Sequence, residues 1–483
     1  MRPLSMRLRL PSPFRLSSSS RRQAHNRRSC SIDHAELPPE LWLEIISILP
    51  MATILALTFT CRSLRGLAQP FIFQRISFRL SPEKTYMERL SQRLFFIRSP
   101  SIAYHIEECS ITIPRRTKGV NVTLERAIDT VFDAIVGFPN LVKLAFSGLD
   151  LTQKRLQDLT LLSMSIIELN SCVVYDSDEG SVPVKTLICN FNPSSVEPNA
   201  PLVQNLSPFL DRSYIQSIAA GPVSAECILT VLSNSSSPYS CLTSLTIPVD
   251  TMTFARTLRA LSLCPQLCHL SLPFGNEPPA RYLTSLPPAL LPNLRSFDGP
   301  HQYAAILSST SSFPFPGHSR PIHTITLRPF SNTTFLTLPA PLLRSVATLS
   351  ALDLHSLDIL AITILPSLLP LLCTATPALK HLAINAHPDF YARCVTLVDA
   401  ARAISTYGLP AGLVSLRLGV QMRAVEVEKR GGVGAGPGMV WGSARRWCVN
   451  LEEVRMWFWT QPRPAWVVCS RVGEMGMTVR VEY

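Results

Sequence analysis

The chain has 483 residues, of which 46% are hydrophobic and 16% are charged, and it contains 41 prolines against 20 glycines. This length allows several domains, or one small domain followed by an extended repeat array. The formal net charge is +12, but eight arginines of the leading segment precede Asp33, the first acidic residue. Because the rest of the chain is close to balanced and shows no zinc-finger or basic-zipper pattern, the composition disfavours a nucleic-acid-binding protein.

The leading segment, residues 1–32, is rich in Arg and Ser and contains no acidic residue. Such a composition is typical of a disordered basic tail, a mitochondrial transit peptide or a nuclear signal. Pro11 and Pro13 interrupt any amphipathic helix, so we favour a disordered tail and keep mitochondrial import as the minority alternative. A misassigned start codon would leave a similar segment.

The first predicted helix of the chain begins near Leu37. Pro38 and Pro39 suit the first turn of a helix, where a proline loses no hydrogen bond. The apolar residues that follow lie on one helical face: Leu41, Ile45, Ile48 and Leu49. Pro50 should end this helix.

Two further short helices are predicted up to Phe78. Thr53 is a plausible N-cap for a helix over residues 54–57. A third helix should run from about Thr60 to Gln69 and end at Pro70. A helical trio of about 40 residues is too short to bury much surface alone, so it should dock on the rest of the chain or on a partner.

The same stretch resembles the F-box, in particular that of fungal F-box-like proteins. Four motifs carry the resemblance, in order along the chain: LPxEL from Leu37, LEIxSxLP from Leu43, LALxxxCRxLR from Leu55 and AQPxxFxxI from Ala68. The resemblance implies that this chain is a substrate-recognition subunit of an SCF-type (Skp–cullin–F-box) ubiquitin ligase. Its helices would then dock on a Skp-type adaptor, and through the adaptor on a cullin.

Carried over position by position, the family's contacts give an expected adaptor surface. It comprises Leu37, Pro38, Leu41, Ile45, Leu49, Leu55, Cys61, Arg62 and Leu64. The chain departs from the common pattern at Leu64, where many F-boxes have tryptophan, and near Thr53, where an acidic residue is often found. These departures leave open an interaction scaffold with a degenerate F-box and no link to ubiquitination. The same leucines could also attach the helices to the rest of the chain.

Downstream of the helices, the pattern LxxLxL recurs at irregular spacings of roughly 20 to 38 residues, which is typical of leucine-rich repeats. Copies begin at Phe138, Ser165, Cys241, Cys264, Leu291, Ile322, Thr376, Ala411 and Cys448, with weaker ones near Val184 and Ile215. The last two apolar positions are two residues apart and therefore point to one face of a strand. Stacked copies would bury a continuous apolar column, since a single copy cannot close a core.

The expected fold class is therefore α/β: a small three-helix F-box unit followed by an irregular leucine-rich-repeat solenoid with a curved parallel sheet. The rival is a loose α/β fold with short helices. The domain boundaries we expect are a tail (1–32), an F-box-like domain (35–80), a helical connector (81–136), repeats (137–470) and a C-terminal segment (471–483).

Side chains at outward positions of the predicted strands are candidates for binding a protein substrate. They are Lys143, His269, His381, Arg417, Arg455 and Trp457. Arginine and aromatic residues dominate many interfaces. The aromatic residues of the last copy could equally serve as a cap over the open end of the core.

Motifs for chemistry are missing from the sequence, so we expect a non-catalytic protein without cofactor or metal. No GxSxG, HExxH or paired-carboxylate motif is present. The closest cysteine pair, Cys264 and Cys268, lacks the second pair that a zinc site needs. The 13 cysteines should be free thiols in a reducing compartment, the cytoplasm or the nucleus.

Two segments could be mistaken for functional ones. The apolar run from Ile359 to Cys373 is shorter than the ~20 residues of a membrane helix and contains two prolines, so we predict a buried segment and no membrane span. Residues 431–438 are glycine-rich but lack the GK[ST] of a phosphate-binding loop, which favours a flexible loop.

Overall fold

The computed structural model describes residues 37–81, 83–113, 122–175, 181–190, 206–249, 253–273, 290–301, 303, 321–328, 339–349, 352–360, 365–385, 397–420, 435–458, 465–472 and 476–482. The chain divides after Ala68 into two compact units. The predicted tail at 1–32 and residues 431–434 of the glycine-rich segment lie outside the described residues.

The first unit contains the predicted helices. They are α1 (Pro39–Ile48), α2 (Met51–Leu57) and the beginning of α3 (Arg62–Phe73). Pro39 lies in the first turn of α1, as the sequence predicted.

Two details of the helix prediction are wrong. Helix α2 begins at Met51 because Pro50, in extended conformation, directly precedes it; Thr53 is therefore inside the helix and is not its cap. Pro70 lies inside α3 and does not end it. The N–H of Gln74 donates to the carbonyl oxygen of Pro70 at 2.9 Å, so helical hydrogen bonding continues beyond the proline.

The second unit is built on strands that alternate with helices. Its strands are β1 (Arg75–Arg79), β2 (Glu108–Thr112), β3 (Lys143–Ser147), β4 (Asp150–Leu151), β5 (Ile166–Asn170), β6 (Val173–Val174), β7 (Thr186–Asn190), β8 (Ser217–Ala220), β9 (Ser244–Thr246), β10 (His269–Ser271), β11 (Ser296–Pro300), β12 (Thr324–Arg328), β13 (Ser356–Leu360), β14 (His381–Asn385), β15 (Ser415–Val420), β16 (Glu453–Phe458), β17 (Ala465–Val472) and β18 (Gly476–Glu482). Its further helices are α4 (Lys84–Ile97), α5 (Pro100–Ala103), α6 (Val122–Ile135), α7 (Gln153–Thr160), α8 (Pro222–Asn234), α9 (Phe254–Ser262), α10 (Pro339–Thr348), α11 (Leu365–Ala375), α12 (Leu397–Tyr407) and α13 (Ala435–Trp447).

One long sheet contains nearly all of these strands. Within the described residues it has 16 strands in the order β1-β2-β3-β5-β7-β8-β9-β10-β11-β12-β13-β14-β15-β16-β17-β18, and β4 pairs with β6 in a small second sheet. Neighbouring strands are parallel from β1 to β16, whereas β17 and β18 are antiparallel additions. The predicted α/β class with a parallel sheet is thus confirmed.

The LxxLxL spacing has a direct structural counterpart. In β14, Leu379 leads into the strand and Leu382 and Ile384 follow, and all three are buried. Equivalent residues of the other strands join them in one core cluster that extends along the sequence from Ile76 to Cys469. The residues between them alternate to the opposite face, because successive side chains of a strand point to opposite sides.

The sheet also extends beyond the predicted repeat region. Strands β1 and β2 belong to it, although we expected its first copy near residue 137. β1 lies in the predicted F-box-like domain (35–80) and β2 in the predicted helical connector (81–136). β2 follows the same spacing with Ile106, Cys109 and Ile111, all buried. At the other end, β18 lies in the predicted C-terminal segment and pairs with β17.

The two segments that invited a functional reading are part of the fold. The apolar run from Ile359 contributes to β13 and, after residues 361–364, to α11, which includes Pro370. Helix α13 begins at Ala435, inside the glycine-rich segment that we expected to be a loop. No helix of the described ranges is both long enough and apolar enough to cross a membrane.

Candidate interaction surfaces

Helix α1 leaves most of its apolar residues accessible. Ile46 is its buried residue, at 0% exposure, whereas Leu41 is 43% and Ile48 is 81% exposed. Further large apolar side chains are exposed in the described part of the first unit: Leu37, Leu43, Ile45, Met51, Leu55 and Phe59. We call these eight residues the apolar helix surface. Exposed apolar areas of this kind are typical of interaction sites.

Side-chain hydrogen bonds fix the connection between α2 and α3. The Nε of Arg65 donates to the carbonyl oxygen of Thr58 at 2.9 Å, and the Thr58 hydroxyl donates to the carbonyl oxygen of Leu55 at 2.7 Å. The N–H of Leu64 donates to the Cys61 sulfur at 3.5 Å. Cys61 therefore caps the first turn of α3, the position where helices leave N–H groups unsatisfied.

The nine expected adaptor contacts fall into two groups. Seven are exposed: Leu37, Pro38, Leu41, Ile45, Leu55, Cys61 and Arg62. Leu49 and Leu64 are half-buried.

Sequence reasoning left four residues of the apolar helix surface out of the expected contact set: Leu43, Ile48, Met51 and Phe59. They are 38%, 81%, 48% and 83% exposed, respectively. Ile48 lies on the helical face on which the prediction concentrated, whereas the other three lie outside it. For Ile48, Met51 and Phe59, the position close to a helix end was the available signal.

Comparison with known protein families gives one result for this region. A family model described as F-box-like matches residues 34–79. Comparison of the whole chain with curated proteins finds no significant match. The chain therefore contains an F-box-like domain at residues 34–79, and domains of this type generally bind Skp-type adaptors.

The second unit presents a different surface, the face of the sheet opposite its buried side chains. Lys143, His269 and His381 are the first residues of β3, β10 and β14. The strand registers place all three in one row across the sheet, separated by intervening strands. His269 and His381 are exposed and Lys143 is half-buried.

Two of the expected substrate-binding residues are brought together. Arg417 of β15 and Arg455 of β16 lie opposite each other in the parallel register, and Trp457 lies opposite Gly419 two residues further along. Arg417 is exposed and Arg455 is half-buried. The side chain of Trp457 lies outside the described part of the chain.

Ion pairs neutralise part of the charge on this face. Lys143 contacts Glu168 at 2.8 Å across neighbouring strands, and Arg455 contacts Glu453 of its own strand at 2.5 Å. Hydrogen bonds from the Asn170 amide and then from Lys143 lower the pKa of Glu168. No ion pair to Arg417 is found within the described residues, which makes it the most available cation of the predicted set.

The described cysteines form no disulfide bond with one another, and several are deeply buried. Burial raises the pKa of the Cys109 and Cys172 thiols to about 12. Cys264 and Cys268 are engaged separately, since their thiols donate to the carbonyl oxygens of Ala260 and Gln266. Thiols with raised pKa values are poor nucleophiles and poor metal ligands.

Proposed function

We propose that this chain is the substrate-recognition subunit of an SCF-type ubiquitin ligase. In this proposal the F-box-like domain binds a Skp-type adaptor, which links the chain to a cullin. The outward face of the long sheet binds the protein to be ubiquitinated. The observation that carries the proposal is the apolar helix surface, exposed within the F-box-like match.

The physical argument rests on the cost of exposed apolar area. Leu41 at 43% and Ile48 at 81% exposure belong to α1, and Phe59 at 83% exposure follows α2 in the same small unit. Covering such side chains with a partner gains about 25 cal/mol for each Å² removed from water. In an adaptor-binding site, this free energy contributes to binding. In a monomer without a partner, the exposed apolar area would promote aggregation.

We further propose that the second unit is a divergent leucine-rich-repeat array. The support is the recurrence of buried residues at the first, fourth and sixth positions, as at Leu413, Leu416 and Leu418. Consecutive repeating units usually form extended binding surfaces. Arg417 and Arg455, adjacent on the outward face, are the residues we assign to substrate contact.

An interaction scaffold outside ubiquitination is the second candidate. It is favoured by Leu64, which is half-buried and replaces the tryptophan common in F-boxes. In either case we propose that the chain itself is not catalytic and acts in the cytoplasm or the nucleus.

The test is capture of partners from cells with a tagged full-length chain, with and without a proteasome inhibitor. The proposal predicts recovery of a Skp-type adaptor and a cullin, and further proteins whose recovery increases under inhibition. Exchanging Leu41 and Ile45 for aspartate should abolish recovery of adaptor and cullin. Arg417→Glu should reduce recovery of the inhibitor-dependent proteins alone.

Leu161→Asp provides a matched control. Leu161 is 70% exposed and lies outside the F-box-like match, so the same chemical change there should leave adaptor recovery intact. Recovery of stable partners that do not respond to proteasome inhibition, without adaptor, would favour the scaffold and contradict the ligase proposal.

A further inference from the structure

A cluster of metal-ligand types lies at the amino ends of β12 and β13. His323 precedes β12, and Asp353 and His355 precede β13. One possible ligand atom from each of the three residues lies within 4.8 Å of the others. Neither the F-box-like domain nor the proposed substrate contacts include these residues.

The backbone holds the two histidines side by side. The N–H groups of His355 and Ser356 both donate to the carbonyl oxygen of His323 at 2.9 Å. The imidazole rings stack with centroids 5.0 Å apart and an interplanar angle of 14°. Because these contacts are part of the pairing between strands, the cluster is built on the rigid sheet.

A hydrogen bond defines which nitrogen of His323 is available to a metal. Its Nδ1 lies 3.1 Å from the backbone carbonyl oxygen of Asp353. A carbonyl can only accept, so Nδ1 carries the proton and Nε2 carries the lone pair. Metal-binding histidines typically donate their other ring N–H to a carbonyl or carboxylate in this way.

The remaining two ligands are already near each other. The Nε2 of His355 is 3.6 Å from the Oδ2 of Asp353. Ligand atoms of a tetrahedral zinc site are about 3.3 Å apart, given metal–ligand bonds of about 2.0–2.1 Å. Asp353 and His355 have 68% and 41% exposed side chains, so small rotations can close the difference.

We propose that His323, Asp353 and His355 bind a divalent transition-metal ion, with Zn²⁺ as the preferred biological ion. Two imidazoles and one carboxylate favour zinc over calcium or magnesium, which prefer oxygen ligands. Three protein ligands leave one coordination position for water or for a side chain of a bound partner. The metal would connect two neighbouring strands at their amino ends.

Two basic residues flank the cluster. The N–H of His323 donates to the carbonyl oxygen of Arg295, and the N–H of Lys380 donates to that of His355, each at 2.9 Å. Arg295 and Lys380 therefore occupy equivalent positions on the adjacent strands. Both are exposed, and their long side chains can turn towards water. Their charge should nevertheless weaken the binding of a cation.

The test is calorimetric titration of Zn²⁺ into the full-length chain after metal removal and alkylation of accessible thiols. The proposal predicts one binding event that weakens more than about tenfold in His323→Ala, in His355→Ala and in Asp353→Asn, since each removes a ligand. His105→Ala is the matched control, because His105 is a half-buried histidine that precedes β2, several strands away from β12 and β13 in the sheet. Zn²⁺ binding by this variant should equal that of the unchanged chain.

Lys380→Ala separates metal binding from misfolding. Removing this positive charge should tighten Zn²⁺ binding severalfold, a gain that a damaged fold would not produce. Equal binding by the unchanged chain and by His323→Ala and His355→Ala would overturn the proposal. Weaker binding by Lys380→Ala would also contradict it.

Discussion

Arg155 of α7 is a buried charge whose partners lie on another helix. Its side chain is 4% exposed, and its Nη2 contacts Glu125 at 2.5 Å and Asp129 at 2.9 Å. Its Nη1 also donates to the carbonyl oxygen of Asp150 at 2.7 Å. A buried guanidinium requires this complete set of acceptors, because an unpaired buried charge is costly. The site therefore joins α6 to α7 and to the β4 segment.

Replacing Arg155 by alanine should lower the free energy of unfolding by about 2–3 kcal/mol, less than for a fully buried pair because both carboxylates can return to water. Arg256→Ala is the control: Arg256 contacts Glu226 at 3.0 Å with both side chains exposed. An exposed pair contributes about 0–1 kcal/mol. Urea unfolding, followed by circular dichroism, measures the change in the free energy of unfolding for both variants. Equal losses for the two variants would contradict the assigned role.

Gly299 is a second residue with a specific packing reason. It occupies the sixth position of the LxxLxL pattern, after Leu294 and Phe297, where a large apolar residue is expected. An added Cβ would lie 2.9 Å from the Phe297 ring and 3.2 Å from the Leu272 Cβ. Phe297 is fully buried and fills the space that the missing side chain would occupy.

We expect Gly299→Ala to destabilise the protein by about 1–3 kcal/mol through overpacking. Combining it with Phe297→Leu should cost less than the sum of the single changes, because the smaller side chain makes room. Gly442→Ala is the control: apart from its chain neighbours and its own helix backbone, no described atom lies within 4 Å of the added Cβ in α13, so this change should stabilise by about 1 kcal/mol. Additive effects at positions 297 and 299 would show that the two side chains do not compete.

At the scale of elements, the LxxLxL spacing predicted most strands of the parallel part of the sheet, from β3 to β12 and from β14 to β16. Strand β13 was missed although Leu354, Leu357 and Ile359 repeat the spacing. Ile359, the last apolar position of this pattern, was assigned to the apolar run that follows, so the strand was not recognised. Strand β2 was missed because isoleucine and cysteine replace leucine. Spacing, and not residue type, is the physical requirement, since any buried apolar side chain can fill the column.

Other features could not be predicted from local sequence. The cluster of His323 and His355 combines residues that directly precede two strands, and only the parallel register of those strands brings them together. The exposure of Ile48 likewise depends on how the helices pack. The outward direction of Lys143, His269 and His381 could be predicted from the sequence. That Arg417 and Arg455 are neighbours can be known only from the strand register.

Helix α11 gives a prediction about an element. Pro370 lies inside it, is exposed and removes one backbone donor. Pro370→Ala should raise the free energy of unfolding by about 1–2 kcal/mol, the gain in helix propensity less the added freedom of the unfolded chain. Pro222 is in the first turn of α8, where proline is well accommodated, so Pro222→Ala should give no gain. Chemical denaturation measures the free energy of unfolding of both variants. Destabilisation by Pro370→Ala would contradict this interpretation of α11.

At the scale of the whole molecule, the first and last strands of the long sheet, as far as the structure describes the chain, carry exposed charges. Strand β1 exposes Arg75 and Arg79, and β18 exposes Arg480. Charged residues on edge strands prevent pairing with other chains. The apolar helix surface is the place where a partner is expected, because eight large apolar side chains are exposed there.

The central claim is that the apolar helix surface binds a Skp-type adaptor directly. The most direct test is a titration between the purified full-length chain and purified adaptor, for the unchanged chain, for the Leu41→Asp and Ile45→Asp double variant, and for the Leu161→Asp control. We predict saturable binding by the unchanged chain and by the control, with a loss of more than about 4 kcal/mol of binding free energy in the double variant, because it buries two charges at an apolar contact. Equal affinity of the folded double variant and the unchanged chain, or no binding by any of the three, would contradict the claim.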